Sequence, residues 1–328
     1  MKKFLIKRLL QSILILFFAG LIIYAIMRCL PSSYVETKAR MMAQQPGAKS
    51  YNQWLEQLNV SYGLNQGIIP GYFHWLLNAL QGDFGDSWQW NKPVVEKFQD
   101  VIWYSVALSG SAFLLEILIA IPAGIISARR QYSKTDYFIT IIALVGISIP
   151  SFFFAAILKY IFSIKLGWFD LYGIVGRMHE QYSTFEKLLD MARHMVLPVI
   201  TLTIINIGSL MRYTRANMLE VLKADYIRTA RAKGLPENKV IKEHAFRNTL
   251  IPLITLLGSS LPGLFGGALI TEILFQIPGI GYTSYQSMIN GDIPFTMFYM
   301  LFLAVLILLG NIMADILYAI ADPRARIY

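Results

Sequence analysis

LLQSILILFFAGLIIYAIM, residues Leu9–Met27, carries no charged side chain in nineteen positions. At about 1.5 Å of rise per residue a helix of that length covers the roughly 30 Å hydrocarbon core of a bilayer. A lone segment in lipid has to satisfy its own backbone hydrogen bonds, so the run is a helix. Similar apolar blocks recur, and the expected spans are 9–30, 101–128, 137–163, 195–211, 251–275 and 295–321. A transmembrane barrel would instead need alternating segments of about ten residues, and the sequence has none. Composition agrees: 55% of the 328 residues are hydrophobic and 15% charged, with a mean hydropathy of +0.50. The expected fold class is an all-α membrane protein with about six transmembrane helices.

Lys2, Lys3, Lys7 and Arg8 precede the first block, as in a secretory signal. The block is longer than the usual h-region of about 7–15 residues, and no small-x-small cleavage site follows it. Pro31-Ser32-Ser33 only ends the helix, so the first span is expected to be retained. The single cysteine, Cys29, follows Arg28 where a lipoprotein signal needs a small residue, and one cysteine makes no intrachain disulfide. The net charge of +9 lies between the apolar blocks, which argues against a nucleic-acid partner.

Orientation follows from the lysines and arginines. With spans alternating, one side receives residues 1–8, 129–136, 212–250 and 322–328, which hold 18 of the 29 basic residues. Both termini are therefore expected in the cytoplasm, and Arg324 and Arg326 favour an even number of spans. The fourth block is the shortest; His194 and Pro198 blur its start, and it is expected to continue past Met211.

Residues 31–100 read as an extracytoplasmic subdomain between a first helix, 1–30, and a core, 101–328. Trp54, Leu55 and Leu58, then Tyr72, Phe73, Leu76, Leu77 and Leu80, recur at helical spacing. These helices suit a bed on the membrane or on neighbouring spans, or a docked extracellular partner. Gly82-Asp83-Phe84-Gly85-Asp86 reads as a turn. Trp75, Trp88, Trp90 and Trp103 suit an interfacial belt.

The one long polar stretch on the basic side is 212–250. It includes Asp225-Tyr226-Ile227-Arg228-Thr229-Ala230-Arg231-Ala232-Lys233-Gly234, then His244-Ala245-Phe246-Arg247-Asn248, and closes at Pro252. Ala230, Ala232 and their long-chain neighbours favour helix. Gly234 can take a left-handed position just past the helix end, and Pro236 falls where a new helix can begin. Small residues allow close approach to another surface, with Arg228, Arg231 and Lys233 ringing the contact. The residues alone leave open a docking surface or a solvated basic face.

This run, with the His244–Asn248 stretch and Pro252, resembles the EAA coupling loop of binding-protein-dependent ABC importer permeases. More narrowly it resembles the dipeptide/oligopeptide/nickel branch and its B-type peptide permeases. Arg228 and Thr229 stand in place of the general motif's Glu and first Ala, while Ala230 and Gly234 agree. The resemblance extends over Phe4–Leu10, Tyr62-Gly63-Leu64, Gln81–Gly85, Lys92-Pro93-Val94, Asp136, Ile149–Phe152, Leu197-Pro198, Glu272, Pro278–Gly281 and Asp322–Arg326. Pro31-Ser32-Ser33-Tyr34 departs from the Pro-Gly-Asp-Pro of many relatives.

The resemblance implies a type I importer permease fold in a bacterial cytoplasmic (inner) membrane. It implies a homologous second permease, two cytoplasmic ATPase subunits that bind ATP and Mg, and an extracytoplasmic substrate-binding protein. Residues Arg228, Thr229, Ala230, Arg231, Ala232, Lys233 and Gly234 would couple to the ATPase. Peptides are the expected cargo, with nickel or another metal chelate as the alternative. The chain has no G-x-x-x-x-G-K-[ST] phosphate loop, so no ATP hydrolysis and no bound cofactor are expected of it.

Two ionisable residues inside the spans, Glu116 and Glu272, are candidates for the pathway or a gate. Glu116 could equally be a buried pair or a protonated structural group. Glu272 could instead cap the Pro278-Gly279-Ile280-Gly281 turn. Gly263 and Gly267 have the GxxxG spacing of close helix packing or of a gate, and Pro122 and Pro150 are expected to kink their spans. The four histidines lie scattered without metal-ligand spacing. No nucleophile–base pair suggests an intramembrane enzyme, and neither inverted repeats nor charge chains suggest a secondary transporter.

Overall fold

The computed structural model describes residues 2–29, 33–44, 49–61 and 65–321. Tyr62–Leu64, Pro31-Ser32 and Asp322–Arg326, with both terminal arginines, lie outside the described residues. The helices run α1 (Lys2–Cys29), α2 (Ser33–Ala43), α3 (Tyr51–Ser61) and α4 (Ile68–Leu80), then a short hairpin of β1 (Asp86–Ser87) and β2 (Lys92–Pro93). There follow α5 (Val94–Arg129), α6 (Lys134–Ser148), α7 (Ser151–Leu158), α8 (Thr184–Leu222), α9 (Asp225–Ala232), α10 (Glu237–Lys239), α11 (Arg247–Ser260), α12 (Leu269–Phe275), α13 (Ile280–Ile289) and α14 (Ile293–Ala321).

Among the described residues, four helical stretches are long and apolar enough to cross a membrane: Arg8–Cys29, Val94–Arg129, Thr184–Leu222 and Ile293–Leu317. Two bent pairs bring the number to six if each is one span. The third expected span is one of them, Lys134–Ser148 with Ser151–Lys165, bent by 103° at Pro150. Pro122, in contrast, sits inside an unbroken α5. The other pair, Glu237–Leu250 with Pro252–Phe265, bends by 48°. The expected span 251–275 is therefore not one helix. It stops in a 3₁₀ turn at Leu261–Phe265, and Gly267, at φ +84°, separates it from α12.

The fourth span is much longer than its apolar block. Its first turns are polar, and a capping box starts it: the Glu186 N–H donates to Ser183 Oγ and the Ser183 N–H to Glu186 Oε2. Along α1, Ile13, Leu14, Phe18, Ile22 and Ile26 are all more than half exposed. A water-soluble surface rarely carries such a continuous apolar face; lipid covers it at no cost.

The chain forms two compact units, Met1–Trp103 with Tyr282–Leu308, and Tyr104–Gly281 with Leu309–Tyr328. In the first, Tyr24 and Met27 of α1 pack with Val35, Ala39, Leu58, Tyr72, Trp88, Ile293 and Met297. The Tyr72 hydroxyl donates to the Phe17 carbonyl at 2.8 Å, so α4 lies along the first span. Asp292, at the start of α14, accepts from Ser87 Oγ, from the Trp88 N–H at 3.1 Å and from the Phe295 N–H at 3.3 Å. That carboxylate ties the hairpin to the last helix. Trp88 is buried and Trp90 Nε1 donates to Ser287 Oγ at 3.3 Å. Of the four tryptophans expected in a belt, these two are therefore structural, and Trp103 is the one openly exposed.

In the second unit α6 crosses α8 with their backbones nearly touching. A Cβ on Gly208 would sit 2.5 Å from the Ala143 carbonyl oxygen, and one on Gly146 2.8 Å from that of Ile204. Only glycine fits such a crossing. The GxxxG spacing makes no such helix crossing: Gly263 lies outside any α-helix, and a Cβ there would meet nothing within 4 Å, while Gly267 approaches the Gly281 backbone from a turn.

Candidate functional site

Segment 212–250 begins as the last three turns of α8 and then breaks at Lys223-Ala224 into α9. The short α9 is two-faced. Ile227 and Ala230 are buried against Met218, Val240, Ile241, Ala245 and, from α5, Ala128. Tyr226, Arg228, Thr229, Arg231, Ala232, Lys233 and Gly234 face outward. Of the seven expected coupling residues, Ala230 is thus the inward anchor and the other six form the outer face.

The end of α9 is held by a Schellman motif. The Gly234 N–H donates to the Arg231 carbonyl at 3.0 Å and the Leu235 N–H to that of Ala230 at 3.4 Å, with Gly234 at φ +74°. Arg231 does more than ring the surface with charge. Its guanidinium grips Glu237 through both oxygens, at 2.8 and 3.1 Å, and braces the turn into α10. The chain then passes through a π-helical stretch, Val240–Phe246, into α11, a register change common at functional positions.

Asp136, one fragment of the family resemblance among many, is the joint of this region. Arg215 of α8 donates to both of its oxygens at 2.8 Å; Ser127 Oγ of α5 and the Tyr132 N–H, the latter at 2.9 Å, add two more bonds. The Asp136 side chain is almost wholly buried and Arg215 three-quarters so. Three membrane helices are therefore pinned together within three turns of α9. No local pattern signals this pairing, since 79 residues separate the partners.

The two membrane glutamates have opposite surroundings. Glu272 is wholly buried; it accepts from Ser105 Oγ at 2.7 Å and from the Ala268 N–H at 2.9 Å. Its other oxygen lies against Gly279 and Gly281 of the Pro278–Gly281 turn, and Ser105 Oγ accepts from the Ile280 N–H at 2.8 Å. Nearby, Lys159 Nζ donates to the Leu274 carbonyl at 2.6 Å and lies 3.9 Å from the Tyr172 ring. Glu116 instead lines an open cleft of about 480 Å³, where Asn206, Ser209, Tyr213 and Ser260 share the walls with one phenylalanine and four leucines. The histidines are not all scattered: His179 Nδ1 lies 2.7 Å from Asp190 Oδ2, and His194 bonds the Asp190 carbonyl at 2.8 Å.

Residues 120–327 match the family described as binding-protein-dependent transport system inner membrane component. The chain belongs to this family. It is a membrane-embedded transport component rather than a catalytic one. Among its relatives is the oligopeptide transport system permease protein AppB of Bacillus subtilis, 39% identical over 99% of both chains. The dipeptide transport system permease protein DppB of Alkalihalophilus pseudofirmus is 33% identical over 98% of both. The oligopeptide permease OppB of Haemophilus influenzae is also 33% identical, over 99% of this chain and all of its own. Among solved structures, the inward-facing MetNI methionine ABC transporter matches with a TM-score of 0.53 and 16% identity, covering 70% of this chain and 97% of its own. The family's permease fold thus accounts for the helical arrangement.

Proposed function

We propose that this chain is one permease half of an ATP-driven importer that carries oligopeptides or dipeptides inward across a bacterial cytoplasmic membrane. The peptide-permease names of relatives matched end to end support the cargo. Both termini and segment 212–250 lie in the cytoplasm in this reading, and residues 31–100 lie outside. A homologous permease completes the path, two ATPase subunits carry ATP and Mg, and an external binding protein delivers the peptide.

One observation carries the mechanism: α9 is a short, rigidly capped helix rooted by Ile227 and Ala230, with six expected coupling residues left outward. A partner that grips this face moves the helices to which it is rooted. ATP-driven closure of the ATPases would push α9 and open the path outward, and hydrolysis would reset it. Alternating access follows, because the packed helices shift as bodies.

The test uses Ala232→Trp, which adds bulk to the outer face without entering the core. The ATPase subunits should no longer co-purify, and peptide uptake should fall by at least tenfold while the variant stays folded. Full assembly and full uptake would defeat the coupling role, and uptake of a nickel chelate in place of peptide would overturn the cargo.

A further inference from the structure

The Glu116 cleft is built unlike the rest of the membrane surface. Around it on α5, Leu114, Leu115, Leu118 and Ile119 are exposed, as suits lipid. Asn206, Ser209 and Tyr213 fall at i, i+3 and i+7, one stripe along α8, and Ser260 faces them from α11. Ser260 spends its hydroxyl on the Leu256 carbonyl. The side chains of Glu116, Asn206, Ser209 and Tyr213 have no hydrogen-bond partner among the described residues, so four polar groups converge on one concavity unsatisfied. Polar groups left bare in hydrocarbon cost several kcal/mol each, so this stripe does not face lipid. A volume of about 480 Å³ lies within the range of roughly 300–1,000 Å³ that holds a small ligand.

We propose that this cleft is a substrate station on the translocation path, and that Glu116 receives the α-ammonium group of a passing peptide. The inference rests on the peptide-importer reading. A carboxylate with no cation of its own attracts a positive charge strongly where the dielectric is low. Asn206, Ser209 and Tyr213 supply neutral donors and acceptors for the peptide amides that follow. Contacts of this kind let cargo enter and leave, whereas a permanent ion pair would hold Glu116 in one state.

The test uses the complete complex in proteoliposomes, with saturating binding protein and a tripeptide bearing a free amino terminus. Glu116→Gln should lower uptake about tenfold, the worth of one charged hydrogen bond, and Glu116→Asp should restore most of it. Unchanged uptake in Glu116→Gln overturns the proposal. If the unaltered complex takes up no peptide, the importer reading itself fails. A second measurement needs no altered Glu116. Ser209→Cys, with the exposed Cys29 replaced by serine, is treated with trimethylammonium-ethyl and sulfonatoethyl methanethiosulfonates. With rates scaled to a free thiol, the cationic reagent should react about tenfold faster, and Glu116→Gln should abolish that preference. Equal rates in the Glu116 protein would mean that the carboxylate is already neutralised, for instance by a cation of the partner permease, and would overturn the proposal.

Discussion

Glu272 and Glu116 are the same side chain, one on the seven-residue α12 and the other inside the long α5, and their surroundings divide them further. Around Glu272 everything is closed: no exposed surface, a hydroxyl and a backbone N–H on one oxygen, and two glycines against the other. A Cβ on Gly279 would fall 2.5 Å from both Glu272 Oε2 and Ser105 Oγ, so the turn is moulded to the carboxylate. Around Glu116 lies an open cleft in which the side chains of Glu116, Asn206, Ser209 and Tyr213 have no hydrogen-bond partner among the described residues. A satisfied buried carboxylate specifies local structure; a bare one is available to a ligand. Ionisable character alone does not mark a transport residue, and partner geometry decides between the two roles.

The largest effect expected is in Glu272→Ala. It strands the Ser105 hydroxyl and the Ala268 N–H and leaves a void, at a cost of about 3–5 kcal/mol. Thermal unfolding of the purified protein in detergent measures it, and a cost no greater than that of Glu116→Ala would collapse the comparison. Asp136→Ala comes next. It leaves Arg215 without its carboxylate partner and should cost about 2–4 kcal/mol, below the fully buried case because Arg215 is one-quarter exposed. Gly234→Val forces a β-branched residue into φ +74° and should cost about 1–2 kcal/mol. Its uptake defect should exceed its loss of stability, because the strain falls on the end of α9.

Asp292 extends the comparison to the first unit. Burial outweighs the hydrogen bonds it accepts, so its carboxyl titrates above the usual carboxylate range. A group raised in the folded state stabilises most below its unfolded value and loses that contribution as pH rises through the folded one. The thermal midpoint should therefore drop over that window in the natural protein and stay flatter in Asp292→Asn. The smallest effect is in Glu116→Gln, whose midpoint should move by less than about 0.5 kcal/mol equivalent. A large fall would make Glu116 a structural residue like Glu272.

Much of this protein is legible in the order of its residues. Apolar blocks announce the membrane helices, because a bilayer demands long uncharged helical runs wherever they occur in the chain. Gly234 announces the end of α9, because a left-handed position favours glycine and is set by its immediate neighbours. What depends on residues distant in sequence is not legible there. Pro150 and Pro122 look alike in sequence, but one marks a 103° bend and the other an unbroken helix. Gly146 and Gly208 bring two helices into close contact while Gly263 of the GxxxG spacing meets nothing, because close approach depends on what lies across the gap. Asp136 meets Arg215, Asp292 meets Ser87, and Glu272 meets Ser105 only once the chain has folded. The sequence by itself determined that carboxylates lie in or beside the apolar blocks. Tertiary structure decided which of them are satisfied, because the partners that neutralise a buried charge come from other helices.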